Sequence, residues 1–172
     1  MIIGVGETIN PGTMNIATHG GGFHGDDCTA VSILELAFME KDLYVVRTRN
    51  LAQLNKADVL VDIGGGVFDH HMAGFDLCRS TGEKYASAGL VWESFGEKAI
   101  IDVVNEVGIS IGVVNEAGMA IGVDEIYEIK RQIDKEFIIP VDMEDNGEKV
   151  GDHTFSFISK FLPTWIEVAP KY

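Results

Sequence analysis

The sequence has few cysteines and no long apolar segment. Its 172 residues include only two cysteines, Cys28 and Cys78, which excludes a disulfide framework and a four-cysteine zinc site. No apolar run approaches the roughly 20 residues that span a bilayer, and the N-terminus Met1-Ile2-Ile3-Gly4 lacks the charged region of a secretory signal. We therefore expect a cytoplasmic protein with two reduced thiols and no membrane association.

Basic residues are also scarce. The 13 lysines and arginines against 27 acidic residues give a net charge of −14, which argues against a broad nucleic-acid surface built from many phosphate contacts. Two bound divalent cations would offset about four of these charges locally. The composition thus permits a small or short anionic substrate.

The length and the 46% hydrophobic content fit one domain, residues 1–172. Apolar, β-branched runs predict strands at 14–18, 43–48 and 57–63, and helical spacing predicts helices from Asp27 onward, over 84–97 and over 124–137. This alternation predicts an α/β fold with a mostly parallel sheet flanked by helices. His19 and Asp62 lie at the carboxyl ends of predicted strands, so we expect both to line one crevice at that edge of the sheet.

A near-exact tandem repeat occupies residues 104–113 and 114–123. Its ten-residue period is too short, and two copies are too few, for a solenoid. We interpret it as a local duplication within a connecting segment or a hairpin, and the sequence assigns it no function.

Histidine and aspartate cluster in two short segments, 19–27 and 68–71, which hold four of the five histidines. Imidazole and carboxylate together suit manganese, iron or zinc, whereas magnesium and calcium prefer oxygen ligands. The sequence therefore predicts a metal site, to which the first segment would contribute His19, His24 and Asp26, and the second the run Asp69-His70-His71.

Two further acidic positions complete this prediction. Asp62 ends an apolar strand, where an unpaired carboxylate is costly, so it would either bridge two metal ions or cap the turn at Gly64–Gly66. Segment 138–147 brings three carboxylates after an apolar stretch, and it ends in residues typical of a turn. Asp142 is the preferred additional ligand, with Asp145 as the second choice.

These segments resemble the DHH phosphoesterase superfamily, named for its Asp-His-His run. They are most similar to the melanocyte-proliferating-gene-one family of metal-dependent nucleases. The matching stretches are 17–27, 46–49, 61–65, 68–71, 85–92, 141–147 and, more weakly, 161–165.

The resemblance implies a parallel α/β domain with two divalent metal ions, usually manganese, at the strand ends; magnesium, iron or zinc are the alternatives. It implies ligand positions at His19, His24 and Asp26, and a bridging carboxylate at Asp62. His70 or His71 would supply the signature histidine, and Asp142 or Asp145 the last acidic ligand. Members usually continue into a second domain that covers the substrate, whereas this sequence stops at Tyr172. Either this sequence is a fragment or a minimal version of such a protein, or a second copy or another chain completes the cleft.

The leading hypothesis is a two-metal phosphohydrolase that cleaves a nucleotide, a short oligonucleotide or a nucleic-acid end. Asp62, His70 and His71 would be its catalytic residues, with His71 contacting phosphate or protonating the leaving oxygen. Arg47 or Arg49 would orient a phosphate, unless both are simply solvated. Two alternatives stay open: a pyrophosphatase or small-nucleotide phosphatase, and a metal-stabilised binding domain without catalysis.

Overall fold

The computed structural model describes residues 1–112 and 120–148. The described elements, in chain order, are β1 (Ile2–Gly6), β2 (Met14–Thr18), α1 (Gly25–Ala37), β3 (Leu43–Arg47), α2 (Leu51–Leu54), β4 (Val59–Leu60), α3 (Ser87–Glu106), β5 (Ser110–Ile111), β6 (Ala120–Ile121), α4 (Val123–Ile133), a π-helical turn (Asp134–Ile138) and α5 (Ile139–Asp145).

The main sheet has the strand order β1-β3-β2-β4, and all of its paired strands are parallel. This arrangement, with helices packed on it, confirms the predicted α/β class. The predicted strands at 14–18 and 43–48 are confirmed. The predicted strand at 57–63 is shorter, because regular pairing covers only Val59–Leu60 before an isolated bridge from Val61 to Phe68.

Strand β1 was not predicted, because two glycines in five residues weaken its strand pattern. Tyr44 on the neighbouring β3 explains both glycines. A Cβ atom on Gly4 would lie 2.8 Å from a Tyr44 ring carbon, and one on Gly6 would lie 2.2 Å from the Tyr44 hydroxyl oxygen. The glycines therefore make room for a large side chain on the adjacent strand.

Apolar side chains cover both faces of the sheet. On one face, Ile16 and Leu43 pack with Leu34 of α1 and with Val91 and Trp92 of α3. On the other face, a smaller cluster joins the sheet to α2 and the following loop; its buried members are Ala17, Val46, Leu54 and Ile63. Burial on both faces explains why β2 and β3 show no alternation of buried and exposed residues.

Two predicted helices are present with different limits. The helix expected over 84–97 is α3, which begins at Ser87 and extends to Glu106. The helix expected over 124–137 is α4 followed by the π-helical turn. α5 follows the π-helical turn without a break, and Pro140, its second residue, can donate no backbone hydrogen bond within this continuous helical segment.

The two copies of the repeat pair with each other. Ser110 pairs with Ala120 and Ile111 with Ile121, so equivalent positions of the two copies face each other in parallel strands. The hairpin interpretation is therefore wrong, because a hairpin pairs antiparallel strands. Residues 113–119 and the weaker match at 161–165 lie outside the described residues.

Within residues 1–112 and 120–148, no helix combines the length and the apolar character that crossing a membrane requires. Cys28 and Cys78 are both free thiols.

Candidate metal centre

The site lies at the carboxyl edge of the sheet, where β2 leads to His19 and β4 leads to Asp62. Parallel pairing of β2 with β4 places these two strand ends side by side. Helix α1 adds Asp26 from its first turn, and α5 adds Asp145 from its last. The loop after β4 supplies His70 and His71.

Asp26 is a buried carboxylate held by the N-terminus of another helix. The backbone N–H groups of Ser87 and Ala88, at the start of α3, donate to its two oxygens at 3.1 and 2.6 Å. Burial, together with the charges of Asp145 and Asp62, raises the pKa of Asp26 well above its ordinary value. Such crowding of carboxylates is relieved when a cation lies among them.

Asp62 adopts a backbone conformation that side chains rarely take, with φ at +56°. Left-handed conformations cost free energy in residues other than glycine and cluster at functional sites. Here the conformation turns the carboxylate towards three histidines. His71 Nδ1 lies 3.0 Å from Oδ1 of Asp62, His70 Nδ1 lies 3.7 Å from the same oxygen, and His19 Nε2 lies 3.3 Å from Oδ2.

Two of these buried atoms are unsatisfied. Among the described residues, neither Nε2 of His19 nor Oδ2 of Asp62 has a hydrogen-bond partner. Buried polar atoms are nearly always paired, and each unpaired one costs about 1–3 kcal/mol. An imidazole nitrogen and a carboxylate oxygen 3.3 Å apart, both unsatisfied and facing each other, are the atoms that a divalent cation would bind.

His70 connects the two sides of the crevice. Its Nε2 lies 3.0 Å from Oδ2 of Asp145, and its Nδ1 lies 3.2 Å from the hydroxyl of Ser87. Burial lowers the pKa of His70, but the hydrogen bond to Asp145 and the charge of Asp26 outweigh burial, and the net pKa is raised. For Asp145, burial raises the pKa, but the hydrogen bond and the charge of His70 outweigh burial, and the net pKa is lowered.

Three sets of side chains could each hold a cation, because the potential ligand atoms of each set lie within 4.8 Å of one another. The sets are His19–His24–Asp62, Asp62–His70–His71 and Asp26–His70–Asp145. Asp62 belongs to the first two sets and His70 to the last two. The mixed nitrogen and oxygen donors fit manganese, iron or zinc better than calcium.

Comparison with known proteins gives the family of this chain. The profile of the MYG1 exonuclease family, described as an uncharacterised protein family (UPF0160), matches residues 15–166. The chain belongs to the MYG1 family. It is 35% identical over 141 residues to the MYG1 protein of Saccharomyces cerevisiae, an alignment that covers 77% of this chain and 37% of the yeast protein.

The chain is also 30% identical over 172 residues to the human MYG1 exonuclease, covering 91% of this chain and 38% of the human protein. With the Caenorhabditis elegans MYG1 protein it shares 33% identity over 147 residues, or 78% of this chain and 39% of that protein. The chain thus spans less than half the length of these curated relatives. No solved structure gives a significant match.

In this MYG1 family chain, seven of the predicted side chains lie in the three sets. They are His19, His24, Asp26, Asp62, His70, His71 and Asp145. Asp142, the preferred last ligand in the sequence, lies apart from the sets. It is fully buried, its Oδ2 accepts from Arg79 at 2.7 Å, and its Oδ1 accepts from the backbone N–H of Gly89 at 2.9 Å.

The two predicted phosphate-binding arginines occupy different environments. Arg47 is buried, and its guanidinium donates to Asp27 at 2.7 Å and to the carbonyl oxygen of Gly22 at 3.0 Å. Arg47 is therefore not a solvated surface arginine, and its predicted role in orienting a phosphate stays a prediction. Arg49 is exposed and lines a cavity of about 310 Å³ together with His19, Asp62 and His71.

Sequence reasoning overlooked two residues that support the site. The hydroxyl of Ser87 donates to Asp62 at 3.4 Å and contacts His70. Asp27 accepts from Arg47 and also from the backbone N–H of His24 at 2.9 Å. The sequence signal for Asp27 was its position three residues after His24 at the start of a helix, which fits a capping interaction.

Proposed function

We propose that this chain is a phosphoester hydrolase dependent on two divalent metal ions, acting on a nucleotide, a short oligonucleotide or a nucleic-acid end. The observation that carries this proposal is the sharing of Asp62 and His70 among three neighbouring sets of ligand atoms. Support also comes from the relatives named MYG1 exonuclease in human, rat and mouse. These relatives are more than twice as long as the matched region, so we only propose that this chain shares their activity.

We assign the two cations to two of the three sets. His19, His24 and Asp62 would hold one ion, and Asp26, His70 and Asp145 the other, with Asp62 between them. Two such ions activate water and neutralise charge on phosphoryl oxygens during displacement. Manganese is the first candidate, because nitrogen and oxygen donors are mixed at this site.

His71 has the properties of a proton donor to the leaving oxygen. Its Nδ1 lies 3.0 Å from Asp62 and 3.3 Å from Asp69, so two carboxylates orient the ring. Its side chain is 61% exposed, so a substrate can reach it. Asp69 is fixed in turn, because its other oxygen accepts from the backbone N–H of Gly65 at 2.8 Å.

The acidity of the chain favours short substrates over long polymers. A net charge of −14 repels a polyanion, and Arg49 is the cation that lines the described cavity beside His19 and Asp62. A pyrophosphatase or small-nucleotide phosphatase is therefore the second candidate.

The test is hydrolysis by metal-stripped protein with and without added Mn²⁺. Initial rates are measured on bis(p-nitrophenyl) phosphate, short RNA, short DNA, a dinucleotide and pyrophosphate. Manganese-dependent cleavage of phosphodiesters is the expected result. Cleavage of pyrophosphate alone would favour the second candidate. A melting temperature raised by Mn²⁺, without any cleavage, would show a metal-stabilised domain that lacks catalysis.

Replacing Arg49 by alanine is expected to raise KM for a nucleotide substrate about tenfold with little change in kcat. A charge-assisted hydrogen bond to phosphate contributes about 1.5–3 kcal/mol, and each 1.4 kcal/mol is a factor of ten. Arg131→Ala is the matched control, since Arg131 is exposed on α4 and pairs with Glu128. Equal KM values for the two variants would show that Arg49 does not bind the substrate.

A further inference from the structure

Arg79 lies at the centre of a buried charge cluster beside the candidate metal centre. Its Nε and Nη2 donate to the two oxygens of Asp134 at 2.9 and 2.8 Å, and its Nη1 donates to Asp142 at 2.7 Å. The guanidinium also lies 4.2 Å from the centre of the Tyr85 ring. One side chain thereby joins the π-helical turn, α5 and the loop that precedes α3.

This cluster is connected to each member of the Asp26–His70–Asp145 set, to Asp26 through the first turn of α3. Arg79 lies on the loop that follows His70. Asp142 is three residues before Asp145, so the two are neighbours on the same short helix. The second oxygen of Asp142 accepts from the backbone N–H of Gly89, in the first turn of α3 whose preceding N–H groups hold Asp26.

The side chains of the cluster pack tightly against the backbone of α3. A Cβ atom on Gly89 would lie 2.0 Å from Oδ2 of Asp142 and 2.8 Å from Nη2 of Arg79, so only glycine permits this approach. Arg79 is 8% exposed and Asp142 is fully buried. Buried ion pairs add little net stability compared with apolar residues, but they fix one arrangement of the groups that they join.

We propose that Arg79 and Asp142 are positioning residues that set the affinity of the Asp26–His70–Asp145 set for a divalent cation. The inference rests on the proposed metal binding and deepens it. Asp142 acts through α5, which it fixes so that Asp145 faces His70 3.0 Å away. Arg79 acts through Asp142 and Asp134. Residues that orient metal ligands commonly change metal affinity 10- to 100-fold when they are replaced.

The test is titration of the metal-free full chain with Mn²⁺ by calorimetry, with bound metal counted by elemental analysis. The wild type is expected to bind two ions. Arg79→Gln should weaken one ion about 10- to 100-fold and leave the other unchanged. Arg79→Lys should give an intermediate loss, because lysine keeps the charge but cannot bridge two carboxylates with a planar fork. Arg131→Gln is the control and should bind like the wild type.

A double-mutant cycle shows whether Arg79 acts through Asp142. If it does, adding Asp142→Asn to Arg79→Gln should weaken the ion little beyond the more affected single variant. Fully additive losses would overturn the proposed route, since they would mean that Asp142 acts independently of Arg79.

The outcomes separate this inference from the proposed function. A wild type that binds no Mn²⁺ would contradict both, whereas two ions bound equally well by the wild type and Arg79→Gln would overturn only the positioning role. If Arg79→Gln does not fold by circular dichroism, Asp134→Asn replaces it, because the Asp134 side chain is 26% exposed and more tolerant. Equal weakening of both ions would also overturn the inference, because it would show general destabilisation.

Discussion

Replacing Asp62 by asparagine is expected to lower manganese-dependent phosphoester hydrolysis by about 100-fold or more. Asp62 belongs to two of the three sets of ligand atoms and lies within 3.3 Å of both His19 and His71. Loss of its charge would weaken cation binding on both sides of the crevice. Metal ions contribute several kcal/mol of charge stabilisation to such reactions, and each 1.36 kcal/mol is a factor of ten in rate.

Asparagine is the appropriate replacement because it keeps the shape of the side chain and tolerates the left-handed backbone of Asp62. The fold should therefore persist, as judged by circular dichroism and melting temperature without added metal. Asp76→Asn makes the same chemical change at an exposed position of the loop after His71 and serves as control. Initial rates on bis(p-nitrophenyl) phosphate within threefold of the control would contradict the central role of Asp62.

The sequence predicted the fold best where strands are buried on both faces. Short, mostly apolar segments identify β2 and β3 because helices and loops cover both sides of these strands. The same reasoning does not find strand β1. Its Gly4 and Gly6 have low strand propensity, and they are there because the Tyr44 side chain on β3 leaves no room for a Cβ atom. That requirement becomes visible only when β1 and β3 are seen side by side.

The candidate ligands were predictable because they follow strands whose ends must meet at one edge of a parallel sheet. The choice between Asp142 and Asp145 was not. The two lie three residues apart on α5, and the sequence does not show which end of that turn faces the crevice. Arg79, which pairs with Asp142, is 63 residues away along the chain. Pairing over such a distance depends on the folded arrangement of helices.

Arg47 illustrates the same limit, and it gives the last prediction. We expect Arg47→Met to lower the free energy of unfolding by about 3–5 kcal/mol, because it leaves a buried carboxylate without its cation. Asp27 is 1% exposed and accepts from Arg47 at 2.7 Å. The Arg47 guanidinium also lies 4.0 Å from the centre of the Phe23 ring, a contact that methionine would only partly replace. Urea unfolding followed by circular dichroism measures the loss.

Arg49→Met is the matched control for Arg47→Met, because Arg49 leaves the same sheet edge but is exposed, and a surface change of this kind stays within about 0.5 kcal/mol. Adding Asp27→Asn to Arg47→Met should recover part of the stability, since the unpaired buried charge is then removed. A phosphate-binding arginine would behave in the opposite way, with KM raised and stability unchanged. That pattern in Arg47→Met would mean that its guanidinium leaves Asp27 for the substrate, and that the buried pair does not hold α1 against β3.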